Sequence, residues 1–186
     1  MAEQTNGRDP ELWKLLGTFA NNPRPYGTES TKWKTALLVC AIRDDQLSAV
    51  QLLAGSGADN SMNALYVAAR RKDQRYVRCL MEHGADPNTP FWRRTPLHEA
   101  ILGGFVDTAA ALIDGGADVN QLITHQCRDE PYFLRRFGLE AYGNPVGATP
   151  SIQACGFVFH PNKPELAVQL ARLLLERGAD PAAANT

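Results

Sequence analysis

Apolar positions along the chain fall into short runs at helical spacing, and the same tripeptide closes four of them. The runs are Val50-Gln51-Leu52-Leu53, Val77-Arg78-Cys79-Leu80-Met81, Ala110-Ala111-Leu112-Ile113 and Leu173-Leu174-Leu175. Gly-Ala-Asp follows each, at 57–59, 84–86, 116–118 and 178–180. The runs predict buried helical stripes. The glycines predict where those helices stop, because glycine enters the left-handed conformation of a helix C-cap without a Cβ penalty.

A second pattern precedes each run. Its clearest form is Thr95-Pro96-Leu97-His98-Glu99-Ala100, a threonine cap followed by proline at the first helical position. Weaker copies begin at Thr35, Asn63 and Thr149. Small residues at Ala41, Ala68, Ala69, Ala100 and Ala154 would let neighbouring helices approach closely. Four helix pairs are therefore predicted. Ahead of them, Asp9-Pro10-Glu11 reads as a helix start, and Leu12, Leu15, Leu16 and Phe19 share one face. This helix is expected to cap the first pair. Asn21–Thr31, with Pro23, Pro25 and Gly27, reads as a linker. At the other end a helix is predicted from Pro164 through Leu174 to Gly178, with no obvious element to cover its leucines.

The segment Thr95 to Asn120 reads TPLHEAILGGFVDTAAALIDGGADVN and resembles an ankyrin repeat almost position for position. Asn63 to Asn88 is a good second copy, and residues 31–59 and 149–181 are looser ones. Gly84 lies 32 residues before Gly116, close to the roughly 33-residue ankyrin period. The resemblance implies an all-α ankyrin-repeat solenoid of about four helix pairs with an N-terminal capping helix and a long insertion. The corresponding division is 1–30 for the capping helix and linker and 31–186 for the repeat domain. The repeats fall near 31–60, 61–90, 91–120 and 147–181, with the insertion at 121–146.

The intervals are uneven. The finger after the first copy is shortened to about Asp59–Met62. Gly116 and Gly178 lie 62 residues apart, which leaves two excesses: one at about 121–148 and one at about Gly156–Lys163. The first excess is either an insertion or a fifth, eroded repeat, since Glu130–Tyr142 could be helical. Its aromatic content disfavours simple disorder, and it is expected to fold back over the concave surface or an end of the stack.

Composition narrows the function. Hydrophobic residues make up 44% and charged residues 21%, an ordinary globular balance. The net charge of -1 supplies no global field toward nucleic acid or anionic membrane. No secretory leader and no membrane span is read in the sequence, so a cytoplasmic or nuclear setting is expected. The cysteines at 40, 79, 127 and 155 are scattered, which argues against a disulfide framework, and Cys40 and Cys79 read as small hydrophobes within helices.

What the resemblance implies for function is protein binding through finger tips and the concave ends of the first helices. Carried across, the finger positions are Thr31, Lys32 and Lys34; Asp59, Asn60 and Met62; and Phe91, Trp92 and Arg94. The first-helix positions are Ile42 and Arg43; Arg70 and Arg71; and Leu102 and Gly103. Lys34, Arg43, Arg70, Arg71, Arg93 and Arg94, with Phe91 and Trp92, are the candidate partner-binding residues. They suit a protein partner with an acidic segment, because arginine forks pair carboxylates and tryptophan and arginine are enriched in binding hot spots. A solvated basic face with aromatics packed under the insertion is the bland alternative.

His98 is expected to be structural, tying down the helix start. His125, Cys127, Cys155 and His160 are of zinc-binding types but match no tight chelating spacing, so no metal or other cofactor is expected. Catalytic motifs are absent, and no enzymatic role is expected. The competing idea is a ligand or enzyme pocket beneath 121–148, lined by His125, Asp129, Glu130, Tyr132 and Tyr142. The basic face lacks any accompanying nucleic-acid motif.

Overall fold

The computed structural model describes residues 27–58, 64–91, 94–123, 149–155, 164–181 and 183. Among them are eight helices: α1 Gly27–Arg43, α2 Leu47–Gly55, α3 Tyr66–Ala69, α4 Gln74–Glu82, α5 Pro96–Leu102, α6 Val106–Asp114, α7 Pro150–Cys155 and α8 Pro164–Glu176. They pair in sequence order, α1 with α2, α3 with α4, α5 with α6 and α7 with α8. The first helices stack on one another as one layer, α1–α3–α5–α7, and the second helices as another, α2–α4–α6–α8. This is the all-α solenoid that the repeats imply.

The core lies between the two layers. Leu38 and Ile42, Leu65, Leu97 and Ile101 on the first-helix side meet Leu53, Leu80, Leu112 and Leu174 on the other. Alanines 41, 68, 69, 100 and 154 are almost wholly buried, so the small residues sit where first helices touch. Cys79 is buried with them, but Cys40 is exposed. On α1 the buried stripe is Leu38, Ala41 and Ile42. Cys40, two residues from Leu38, points away from that stripe.

Each second helix ends in the same way. Gly84 and Gly116 take φ of +87° and +94°. Ala85 N–H then reaches back to the Leu80 carbonyl at 3.0 Å, and Ala117 N–H to that of Leu112 at 3.0 Å. These are Schellman closures with the following alanine tucked against the helix. The aspartate after the alanine organises the next turn: Asp86 accepts from Asn88 N–H at 2.9 Å and from the Thr89 hydroxyl at 2.8 Å.

Consecutive turns are latched by asparagine. The Asn88 amide donates to the Gly116 carbonyl at 2.9 Å and accepts from Asp118 N–H at 2.7 Å. Asn120 makes the same pair with Gly178, at 3.4 Å, and Asp180, at 2.8 Å. The fourth pair thus docks on the third just as the third docks on the second. α7 packs on α5 and α8 on α6. Whether 121–148 is an insertion or an eroded repeat turns on residues 124–148, which lie outside the described residues.

Two local expectations are corrected. The linker expected over Asn21–Thr31 gives way to helix from Gly27. Nothing after Pro25 obliges the chain to stop a helix, so α1 runs past Thr35, which is not its cap. Lys34 is consequently helical, not a finger residue; its ammonium donates to the Ser56 carbonyl at the end of α2, at 2.7 Å. In the second pair, Ala64 and Leu65 form a wide π-type turn before a single turn of α-helix. The expected capping helix at Asp9–Phe19, the finger at Asp59–Met62 and the core of the expected insertion lie outside the described residues.

Asn120→Ala is expected to destabilise the chain by about 0.5–1.5 kcal/mol, because it removes two hydrogen bonds between the turns of the third and fourth repeats. Hydrogen exchange should show faster opening in α7–α8 than in α1–α4. Uniform loss of protection across all pairs would count against the latch.

Candidate functional site

α5 begins with the threonine cap that its sequence predicts, and the structure completes it as a capping box. Thr95 Oγ1 accepts from His98 N–H at 3.4 Å, and His98 Nδ1 accepts from Thr95 N–H at 3.3 Å. Nδ1 also receives the threonine hydroxyl at 2.8 Å. His98 is fully buried and holds the helix start, as expected.

One residue further on, Glu99 is 5% exposed on the same helix. A buried carboxylate needs cations and donors. Arg94 supplies one at 3.3 Å, itself almost completely buried. Arg70, at the end of α3 in the neighbouring repeat, supplies another at 3.6 Å. The Tyr66 hydroxyl donates as well; burial first, and then the Glu99 charge, holds that phenol well above its ordinary pKa. Phe91 closes the group, its ring edge-on to Tyr66 with centroids 5.0 Å apart. Phe91 and Arg94 also face each other across a small antiparallel bridge, with N–H to carbonyl distances of 3.0 and 3.3 Å. This bridge is the base of the finger.

The candidate partner-binding residues therefore separate. Arg94 faces inward, where it pairs with the buried Glu99. Lys34 is half-buried and capped onto Ser56. Ile42, at a first-helix position, is fully buried in the core. Arg43 is exposed. Arg70 keeps 32% of its side chain exposed while bound to Glu99. Phe91 is half-buried. Trp92 and Arg93 lie outside the described residues, between two residues whose geometry is fixed.

Arg71 belongs to a second cluster. Its guanidinium pairs with Asp45 from the first repeat and donates to the Arg43 carbonyl at 3.1 Å. It also lies over the Tyr76 ring, 5.7 Å from the centroid. The Tyr76 hydroxyl donates to Asp45 at 3.3 Å. Burial, followed by the Asp45 charge, pushes its pKa up to about 12. Thr108 of the third repeat donates to the Arg71 carbonyl at 3.0 Å. Three repeats thus converge on one arginine.

Beside this cluster is an open hollow of about 530 Å³, lined by Asp45, Arg70, Arg71, Lys72, Asp73, Arg75 and Tyr76. Asp73 caps α4 by accepting Arg75 N–H at 3.0 Å. The Arg75 side chain binds the same carboxylate and lowers its pKa.

Sequence reasoning missed Glu99, Tyr66, Asp45 and the two asparagines. Only Glu99 carried a signal: a lone carboxylate in an otherwise apolar helix start.

Among the described residues no group of three or more His, Cys, Asp or Glu is placed to hold a metal ion. His125, Cys127 and His160 lie outside them, as do Asp129, Glu130, Tyr132 and Tyr142, so the candidate zinc set and the candidate pocket are not described. No described helix is long and apolar enough to cross a membrane.

A family model described as ankyrin repeats matches residues 12–123 in three copies. The chain is also 39% identical over 90 residues to alpha-latroinsectotoxin-Lt1a of Latrodectus tredecimguttatus. That match covers 45% of this chain and 6% of the toxin, so it compares one stretch of repeats within a far longer protein.

Glu99→Ala is expected to cost about 3 kcal/mol, because it removes the carboxylate that the buried Arg94 guanidinium pairs with. Urea melts would measure this, and a loss near zero would contradict the burial of the pair. The Tyr76 phenol is favoured in its neutral form by the fold. Its contribution is therefore complete below the ordinary value of 10.0 and is lost as pH rises toward 12. Tyr76→Phe should flatten the alkaline fall in stability, and an unchanged slope would rule this source out.

Proposed function

The chain belongs to the ankyrin-repeat family, and from that membership we propose that it is a reversible protein-binding module, not an enzyme. Ankyrin repeats are in general protein–protein interaction modules. The finer reading is contact through the first-helix and finger side of the second and third repeats, with Arg70, Phe91, Trp92 and Arg93 meeting an acidic segment of the partner.

The observation that carries this is the Glu99 cluster. It holds an arginine and an aromatic ring of one surface in fixed positions, Arg70 by charge and Phe91 by packing on Tyr66. A preorganised arginine fork loses little freedom on meeting a carboxylate. Arg94 supports the surface from below, by fixing both Glu99 and the base of the finger.

The division of roles separates two kinds of variant. Arg94→Ala is expected to reduce stability first. Arg70→Ala combined with Trp92→Ala should weaken partner binding by about 1–2 kcal/mol or more while leaving cooperative unfolding intact. Comparative capture from the native source, followed by calorimetry with the recovered protein, provides the measurement. Unchanged affinity would remove this surface from the reading.

A further inference from the structure

We infer that the hollow at the turn between α3 and α4 is a docking site for carboxylate side chains of an acidic peptide segment, centred on Lys72 and Arg75. The inference rests on the protein-binding reading above and adds a place where the acidic part of the partner sits.

Charge accounting leads to it. Four cations and two carboxylates line the hollow. Both carboxylates are already engaged: Asp45 by Arg71 and Tyr76, Asp73 by Arg75 and the start of α4. Glu99, just beyond, pairs with Arg94 and Arg70 and is engaged as well. Lys72 is exposed and makes no ion pair or hydrogen bond among the described residues. An excess of positive charge therefore gathers at one turn of a chain whose net charge is -1.

The shape selects the ligand class. The hollow is open and its walls are mostly charged, unlike the enclosed apolar clefts that hold small organic ligands. Nucleic-acid binders typically neutralise several phosphates along a track. Here the uncompensated charge is confined to one repeat, which matches a short run of carboxylates. The neighbouring Arg71 is immobilised by Asp45, Tyr76 and the hold on its own carbonyl, so the rim is rigid before anything binds.

The experiment uses the full chain and a fluorescent peptide of alternating Asp and Glu, read by anisotropy. An Asn/Gln peptide of the same length and a single-stranded oligonucleotide serve as comparisons. The acidic peptide should bind, weaken as salt is raised, and lose about tenfold in affinity in Lys72→Gln/Arg75→Gln. The Asp73 cap survives that change, because it receives the backbone N–H of residue 75. Lys72→Gln alone should show a smaller loss in the same direction, should the double variant fold poorly. Equal affinity in parent and variants, equal binding of the Asn/Gln peptide, or tighter binding of the oligonucleotide would overturn the inference. If Arg70→Ala/Trp92→Ala impairs partner capture while Lys72→Gln/Arg75→Gln alters neither capture nor peptide binding, this inference fails and the protein-binding reading stands.

Discussion

A pair of helices this short cannot bury its own apolar face, so each repeat is stable only against its neighbours. That constraint makes register the critical variable. Stacked helices could slide by a turn and still bury leucine on leucine. The asparagine latches remove that freedom, because the Asn88 and Asn120 amides each need a carbonyl and an N–H at one spacing in the next turn. The left-handed glycines place those groups. Cap, turn and latch thus form one repeated device, and the helix layers follow from it.

The same constraint explains why charged groups link the repeats, Glu99 from inside the stack and Asp45 from its surface. Glu99 and Asp45 each gather donors from an adjacent repeat, and neither arrangement exists within an isolated helix pair. Buried ion pairs such as Glu99–Arg94 are weak sources of net stability, but removing one partner is costly. The effect of the links is directional: each favours one placement of the neighbouring repeat. Arg177 and Asp114 make a similar link between the third and fourth repeats at the surface, where such a pair contributes little.

What was legible in the sequence was what is determined locally. The Gly-Ala-Asp stops, the Thr95-Pro96 start and the buried role of His98 depend on residues within a few positions of one another, and they were read as they fold. Pro150 and Pro164 likewise open helices where proline suits the first turn. What escaped was decided by partners far along the chain. Arg94 looks like a finger arginine until Glu99 is known to be buried. Lys34 looks like a loop cation until α1 is known to begin at Gly27. Cys40 sits among apolar neighbours but on the outward side of their stripe. Asn88 and Asn120 lie in turns, where asparagine is common for purely local reasons, so nothing in a single copy marks them as bonded across repeats.

Binding surfaces in this architecture inherit their rigidity from the stack. Arg71 is held by Asp45 from the first repeat, by Tyr76 from its own, and through its carbonyl by Thr108 from the third. The side chains that fix Arg70 and Phe91 come from both sides of the boundary between the second and third repeats. Ordering these groups therefore belongs to folding and not to association, which leaves less entropy to be lost when a partner arrives. It follows that substitutions at Asp45, Tyr76 or Glu99, none of which need touch a partner, would loosen recognition together with stability. A substitution at Lys72 would act mainly on recognition, since its exposed charge pairs with nothing among the described residues, whereas Arg75 also holds the Asp73 cap of α4.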